Sequence, residues 1–142
     1  MSELHKNITV QVMINAPVEK VWQCWTEPEH IKQWAFASDD WEAPFAENDV
    51  REGGRFKTKM AAKDGSAGFD FTGTYTAVTP NQFLSYIMDG EDKREVSVKF
   101  EGDASSAKVT EIFDIEHENS EEMQQNGWQS ILKNFKKHVE SE

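Results

Sequence analysis

The sequence predicts an α+β fold in which one wide antiparallel sheet curves around a single long C-terminal helix. Three features lead there. Over much of the chain between Ile8 and Ile115, apolar residues recur at every second position in short runs, the period of strands with one buried face. Turns containing Gly, Pro and Asp separate those runs, so sequential antiparallel pairing is the simplest connection. At the end the period changes. Trp128, Ile131, Leu132, Phe135 and Val139 share one helical stripe, which Met123 and Gly127 extend backwards. Every strand has one apolar face and only this long helix can cover them, so the sheet must bend around it.

Taken in order, Ile8, Val10, Val12 and Ile14 alternate with polar residues as a half-buried strand, which Asn15-Ala16-Pro17 stops. Proline is favourable at a helix start, and Val18, Val21, Trp22 and Trp25 follow at helical spacing. Thr26-Glu27-Pro28 starts a second short helix whose apolar points are Ile31 and Trp34. Two short helices in succession make a V-shaped connection, not a crossover of the βαβ kind. From Ala35 to Asp49 the periodicity is lost among Asp39, Asp40, Glu42, Glu47 and Asp49. This segment reads as a solvated surface loop, too widely spaced in oxygen donors for calcium, whose Phe36, Trp41 and Phe45 fold back onto something apolar.

Gly53-Gly54 opens a strand with Phe56, Thr58 and Met60 facing inward and Arg55, Lys57 and Lys59 outward. Lys63-Asp64-Gly65-Ser66 is a hairpin turn by its Asp-Gly pair. The next inward sets are Phe69, Phe71, Gly73, Tyr75 and Ala77; then Leu84, Tyr86 and Met88; then Val96, Val98 and Phe100; and last Val109, Glu111, Phe113 and Ile115. Thr79-Pro80-Asn81, Asp89-Gly90 and Gly102-Asp103 mark the turns between them. About six strands in a meander thus follow the two helices. In the last helix Asn119 is expected to cap the free N–H groups, with Glu122 reaching back. Glu121 and Glu122 suit the positive end of its dipole, and Lys133, Lys136, Lys137 and His138 the negative end. About twenty residues give a rod of about 30 Å, which crosses most of a domain this size.

Composition narrows the function classes. The chain has 142 residues, suited to a single domain over 1–142, and a formal net charge of −11. Phosphate backbones and anionic lipid would repel it, so neither nucleic acid nor a membrane is an expected partner. No stretch approaches the roughly 20 apolar residues of a membrane span, and no secretory leader pattern opens the chain. Cys24 is the single cysteine, so no intrachain disulfide can form. A cytoplasmic protein, monomeric or weakly dimeric, is the expectation. His5, His30, His117 and His138 lie in four different elements without ligand spacing, and Cys24 has no His or cationic neighbour at fixed spacing. No metal and no cofactor are therefore expected. No Ser/His/Asp arrangement, phosphate-cradling glycine loop or dinucleotide fingerprint is present.

Four blocks resemble a known family. They are Ala16-Pro17-Val18-Glu19-Lys20-Val21-Trp22; Thr26-Glu27-Pro28-Glu29-His30-Ile31 with Trp34; Asp49-Val50-Arg51-Glu52-Gly53-Gly54-Arg55-Phe56; and Gly127-Trp128-Gln129-Ser130-Ile131-Leu132-Lys133-Asn134-Phe135. In composition and order they are similar to the AHSA1-type branch of the START/Bet v 1-like (SRPBCC) superfamily. The resemblance implies a helix-grip fold, with a cavity between sheet and helix that takes up apolar molecules in relatives. The family name comes from an activator of Hsp90 ATPase. That protein's separate N-terminal domain, which makes much of the chaperone contact, has no counterpart in these residues, so Hsp90 is not an expected partner.

Candidate site residues follow from the inward faces. Glu111 shares a face with Val109, Phe113 and Ile115. An unpaired carboxylate there is costly and tends to protonate, so it reads as a ligand anchor or an acid/base group. A bulge, a cavity mouth or a basic partner would be the structural alternative. Gln124, one turn before Trp128, offers an amide to a ligand or a tie to a nearby loop. Gly127 costs about 1 kcal/mol relative to Ala in a helix; close approach of the sheet backbone is the expected compensation, and a ligand that needs the space is the alternative that makes Gly127 a ligand-binding candidate. Thr58 and Gly73 interrupt the aromatic faces, either as a tight closure or as a gap. Trp22, Trp34, Trp41, Phe56, Phe69, Phe71, Tyr75, Tyr86, Phe100, Phe113, Trp128 and Phe135, with Ile131 on the helix stripe, are the pocket-lining candidates and equally the candidates for plain core.

The reading that results is a non-enzymatic binder of a small apolar or aromatic, lipid-like molecule. A second reading is an enzyme of the polyketide cyclase/dehydratase kind, as in some relatives, with Glu111 as base and Tyr75 or Tyr86 stabilising an enolate. A third is a chaperone-interaction module.

Overall fold

The computed structural model describes residues 7–90, 93–116 and 119–141. Strand β1 (Asn7–Ile14) leads into helices α1 (Val18–Thr26) and α2 (Pro28–Trp34). Strands β2 (Trp41–Asn48), β3 (Arg55–Ala62), β4 (Gly68–Thr79), β5 (Phe83–Met88), β6 (Glu95–Gly102) and β7 (Ala107–Asp114) follow, and helix α3 (Glu121–Ser141) closes the chain. The strands form one antiparallel sheet in the order β1-β7-β6-β5-β4-β3-β2. From β3 to β7 it is the meander that the turn residues predict; β2 adds to it at one edge and β1 joins beyond β7. This is the α+β helix-grip arrangement.

The segment expected as an acidic surface loop is instead edge strand β2, paired only with β3. Its alternation is broken by a register shift between Glu42 and Phe45, where Pro44 sits. Proline has no N–H to give to a ladder and is tolerated at such an edge irregularity. Phe45 does not fold back: it stays exposed beneath the Lys57 ammonium, which lies 5.9 Å from the ring centroid.

The opposite edge, β1, is covered by α3. Gln129 Nε2 and Lys136 Nζ donate to the carbonyls of Gln11 (3.2 Å) and Met13 (2.7 Å), which blunts an otherwise bare strand edge. The α3 start differs by one residue from expectation. The Met123 N–H donates to Ser120 Oγ at 3.1 Å, so Ser120 is the cap, while Asn119 turns to Glu116. At the other end Asn134 Nδ2 donates to the carbonyls of Trp34 (3.1 Å) and Phe36 (3.3 Å), fixing α3 to the end of α2.

The core lies between the concave sheet face and the three helices. Phe113, Phe135, Leu132, Val98, Val109 and Val21 are its fully enclosed members. Trp25 and Trp34 meet the Phe135 ring at 4.9 and 4.8 Å, and Phe100 meets Trp22 at 5.1 Å, all but edge-on. Here the interior is solid.

Candidate functional site

At the β3–β5 end of the sheet the interior is hollow. A single glycine sets the geometry. Gly73 lies opposite Phe56 on β3 and Met88 on β5. A Cβ at position 73 would stand 2.7 Å from the Ile87 carbonyl oxygen and 2.8 Å from a Phe56 ring carbon. The missing side chain therefore lets the Phe56 ring lie down against β4. Around that ring stand Tyr86 (4.8 Å between centroids), Tyr75 (5.3 Å) and Phe71 (5.5 Å). From the helix side Trp128 stacks on Phe113 at 4.0 Å, nearly parallel, and turns its edge toward Phe71 at 6.3 Å. Ile31 and Trp34 of α2, with Trp25 of α1, line another wall. The space left over is a partly open cavity of about 280 Å³.

Few polar groups face it. Glu111 stands on β7 between Val10 of β1 and Val98 of β6, both buried. Its residue is 6% exposed. Among the described residues its carboxyl has neither a hydrogen bond nor an ion pair, and burial pushes its pKa up to about 8. Tyr86 is also held neutral, first by its own burial and then by the nearby Glu111 carboxyl. The Tyr75 hydroxyl, likewise raised mainly by burial, donates to Asn48 Oδ1 at 2.6 Å. Asn48 Nδ2 in turn donates to the Thr26 carbonyl at 2.8 Å, which joins β4, β2 and α1 at one corner of the cavity. Thr58, Arg94 and Glu116 complete the polar part of the lining. Such a site can enclose an apolar body and offer it a neutral carboxyl as donor; ionising that carboxyl makes it a base.

Of the residues singled out in the sequence, Trp34, Phe56, Thr58, Phe69, Phe71, Tyr75, Tyr86, Glu111, Trp128 and Ile131 line this cavity. Others are placed elsewhere. Phe100, Phe113 and Phe135 are enclosed core, because their rings are already occupied by Trp22, Trp128 and the Trp25–Trp34 pair. Trp41 stands at the start of β2 against Phe69, 6.1 Å between centroids. Gly73 shapes the floor from beneath. Gln124 ties the β7–α3 connection: its Oε1 accepts from the Glu116 N–H (2.8 Å), and its Nε2 donates to the carbonyls of Glu116 (3.1 Å) and Asn119 (2.9 Å). The close approach expected at Gly127 is absent, since a Cβ there would meet nothing within 4 Å.

Trp25, Ile31, Ala35, Asn48, Met60, Met88, Arg94 and Glu116 were missed as lining residues. The inward periods of β3 and β5 already carry Met60 and Met88, but nothing in the local pattern points Asn48 or Arg94 at a cavity. A second juxtaposition was also missed. Cys24, His30 and His138, one from each helix, bring their ligating atoms within 4.8 Å of one another.

No curated protein sequence matches the chain. Solved structures do. The solution NMR structure of the AHSA1-like protein from Aeromonas hydrophila is 46% identical, with a TM-score of 0.88 over 96% of this chain and 93% of that one. Chr148 from Cytophaga hutchinsonii is 45% identical, with a TM-score of 0.80 over 95% and 92%. Protein NE0264 from Nitrosomonas europaea, 19% identical, shares the fold at a TM-score of 0.80 over 95% and 94%. The model of the family described as "Activator of Hsp90 ATPase homolog 1-like protein" matches residues 15–140. Sheet, helices and match agree with the START/Bet v 1-like superfamily, and the chain belongs to the AHSA1-like family within it.

Proposed function

We propose that this protein binds a small, flat, apolar molecule in the cavity between β3–β5 and α3, without transforming it. The observation that carries this reading is the ring-lined hollow with one buried carboxyl that has no protein partner among the described residues. An apolar cavity of about 150 Å³ accepts benzene, so about 280 Å³ suits a guest of roughly two fused rings. Burial of its apolar surface contributes roughly 25 cal/mol per Å². A group with a pKa of about 8 is about nine-tenths protonated at pH 7. Glu111 is thus a hydrogen-bond donor, which favours guests carrying a carbonyl or phenolic oxygen at one end.

The test is a titration of flat hydrophobic compounds, with and without such an oxygen, followed by backbone amide shifts. Signals from Phe71, Tyr75, Tyr86 and Trp128 should move together. A panel that leaves all four in place would remove the proposal.

The raised pKa of Glu111 also favours a second reading, an acid/base enzyme of the cyclase or dehydratase kind, with Tyr75 or Tyr86 facing a developing enolate. Glu111→Gln that binds but no longer turns a substrate over would support it; equal turnover would dismiss it. For Hsp90, the chaperone in the family's description, we expect no stimulation of ATPase activity by this chain.

A further inference from the structure

The three helices meet at a cluster whose own side chains do not line the cavity. Cys24 of α1 is buried; His30 of α2 and His138 of α3 are half-buried above it. His30 Nδ1 and His138 Nε2 stand 2.9 Å apart, and the Cys24 Sγ with one ring nitrogen from each histidine forms a set of three ligating atoms within 4.8 Å of one another. Their ring planes cross at 62°. We propose that this cluster is a binding site for a thiophilic metal ion of the Zn²⁺ class, clipping α1, α2 and α3 together.

The donor chemistry fits. One thiolate and two imidazoles match the ligand types of zinc, and three protein ligands leave a fourth tetrahedral position for water. With metal–nitrogen bonds of about 2.0–2.1 Å and a metal–sulfur bond of about 2.3 Å, tetrahedral angles place the two nitrogens about 3.4 Å apart and each nitrogen about 3.6 Å from sulfur. The nitrogens therefore separate by about half an ångström, while the longest separation in the set, 4.8 Å, closes by about one ångström to reach the metal–ligand geometry; rotation of the two half-buried imidazoles toward Cys24 supplies both adjustments. Protons balance as follows. The thiol releases one proton to solvent on binding. The hydrogen shared between the rings must leave the metal-facing nitrogens, so His30 carries its proton on Nε2 and His138 on Nδ1. His30 Nε2 is the atom facing Glu27 Oε1, at 3.9 Å. At that distance the carboxylate is a neighbour and not a hydrogen-bond partner; closing to about 2.8 Å on metal binding would give the carboxylate–histidine contact that orients a metal-bound imidazole.

The fourth-ligand water would lie toward the exposed side of the two rings, because the Cys24 side is closed by core. The bound ion would also stiffen one cavity wall, since α2 carries Ile31 and Trp34 on that wall.

Cobalt(II) is the probe, since thiolate ligation gives a charge-transfer band that carboxylates and imidazoles do not. The intact protein should take up one equivalent with that band, and Zn²⁺ should abolish it by displacement. Cys24→Ser should lose the band. His30→Gln and His138→Gln, at half-exposed positions where circular dichroism can verify the fold, should each weaken binding at least tenfold. Zn²⁺ should raise the melting temperature of the intact protein and leave that of a Cys24→Ser/His138→Gln double variant unchanged. Cobalt uptake without the thiolate band, a band that survives both histidine variants, or no uptake at all would overturn the proposal.

Discussion

Replacing Glu111 by Gln isolates the effect of burying a carboxyl without a partner. In the unfolded chain the group titrates near the ordinary 4.5, and in the fold near 8. Well below pH 4.5 it is neutral in both states and costs nothing. As pH rises the unfolded chain ionises first, so folding must take up a proton and stability falls; the loss levels off once pH passes 8. The full span is about 3.5 pKa units, or about 5 kcal/mol. About 3 kcal/mol of it is already lost at pH 7, and between pH 5 and pH 8 the change is about 3–4 kcal/mol. Glutamine keeps the shape and cannot ionise. Its stability relative to the parent should therefore rise by that amount across the window, on top of a constant offset from the new amide. Asp89, held low by its hydrogen bond from Arg55, shifts the other way, but it is common to both proteins and cancels in the difference. Urea unfolding of both proteins at pH 5, 6, 7 and 8 reads the difference. Parallel stability profiles would refute the claim that position 111 is a desolvated carboxyl.

The two interior glycines should respond with opposite signs. Gly73→Ala drives a Cβ into the Ile87 carbonyl and the Phe56 ring, and should destabilise by about 1–3 kcal/mol while tilting that ring into the cavity. Gly127→Ala meets open space inside a helix and should stabilise by up to about 1 kcal/mol; melting temperatures check both. Phe135→Ala empties the junction of Trp25 and Trp34, and should cost about 3–5 kcal/mol by urea unfolding.

Much of the fold is legible in the amino-acid sequence. The period-two runs, the Asp-Gly and Pro-Asn turns and the α3 stripe each follow from local chemistry, and a meander is what short connections permit. The inward direction of Glu111 was equally legible, since alternation on β7 allows only two faces. Strand β2 was not legible. Its bulge at Pro44 breaks the alternation, and its pairing with β3 is a partner's property that the segment does not carry. Gln124 illustrates the same limit: whether its amide turns to a ligand or to the Glu116–Asn119 backbone depends on where that connection passes.

The sequence by itself determined which faces are apolar, where the chain turns, and that a single long helix must serve the whole sheet, because those depend on neighbours within a few residues. The tertiary structure alone decided where that helix meets the sheet and where it stands off. Phe100 and Phe113 became solid core while Phe56, Phe71 and Tyr86 came to border a hollow, although all five obey the same period-two strand pattern. It also decided that Cys24, His30 and His138 meet, since their distance is set by the packing of three helices and not by any spacing along the chain. Burial is a sum over contacts from distant segments, and a local pattern records a residue's direction without recording what fills the space in front of it.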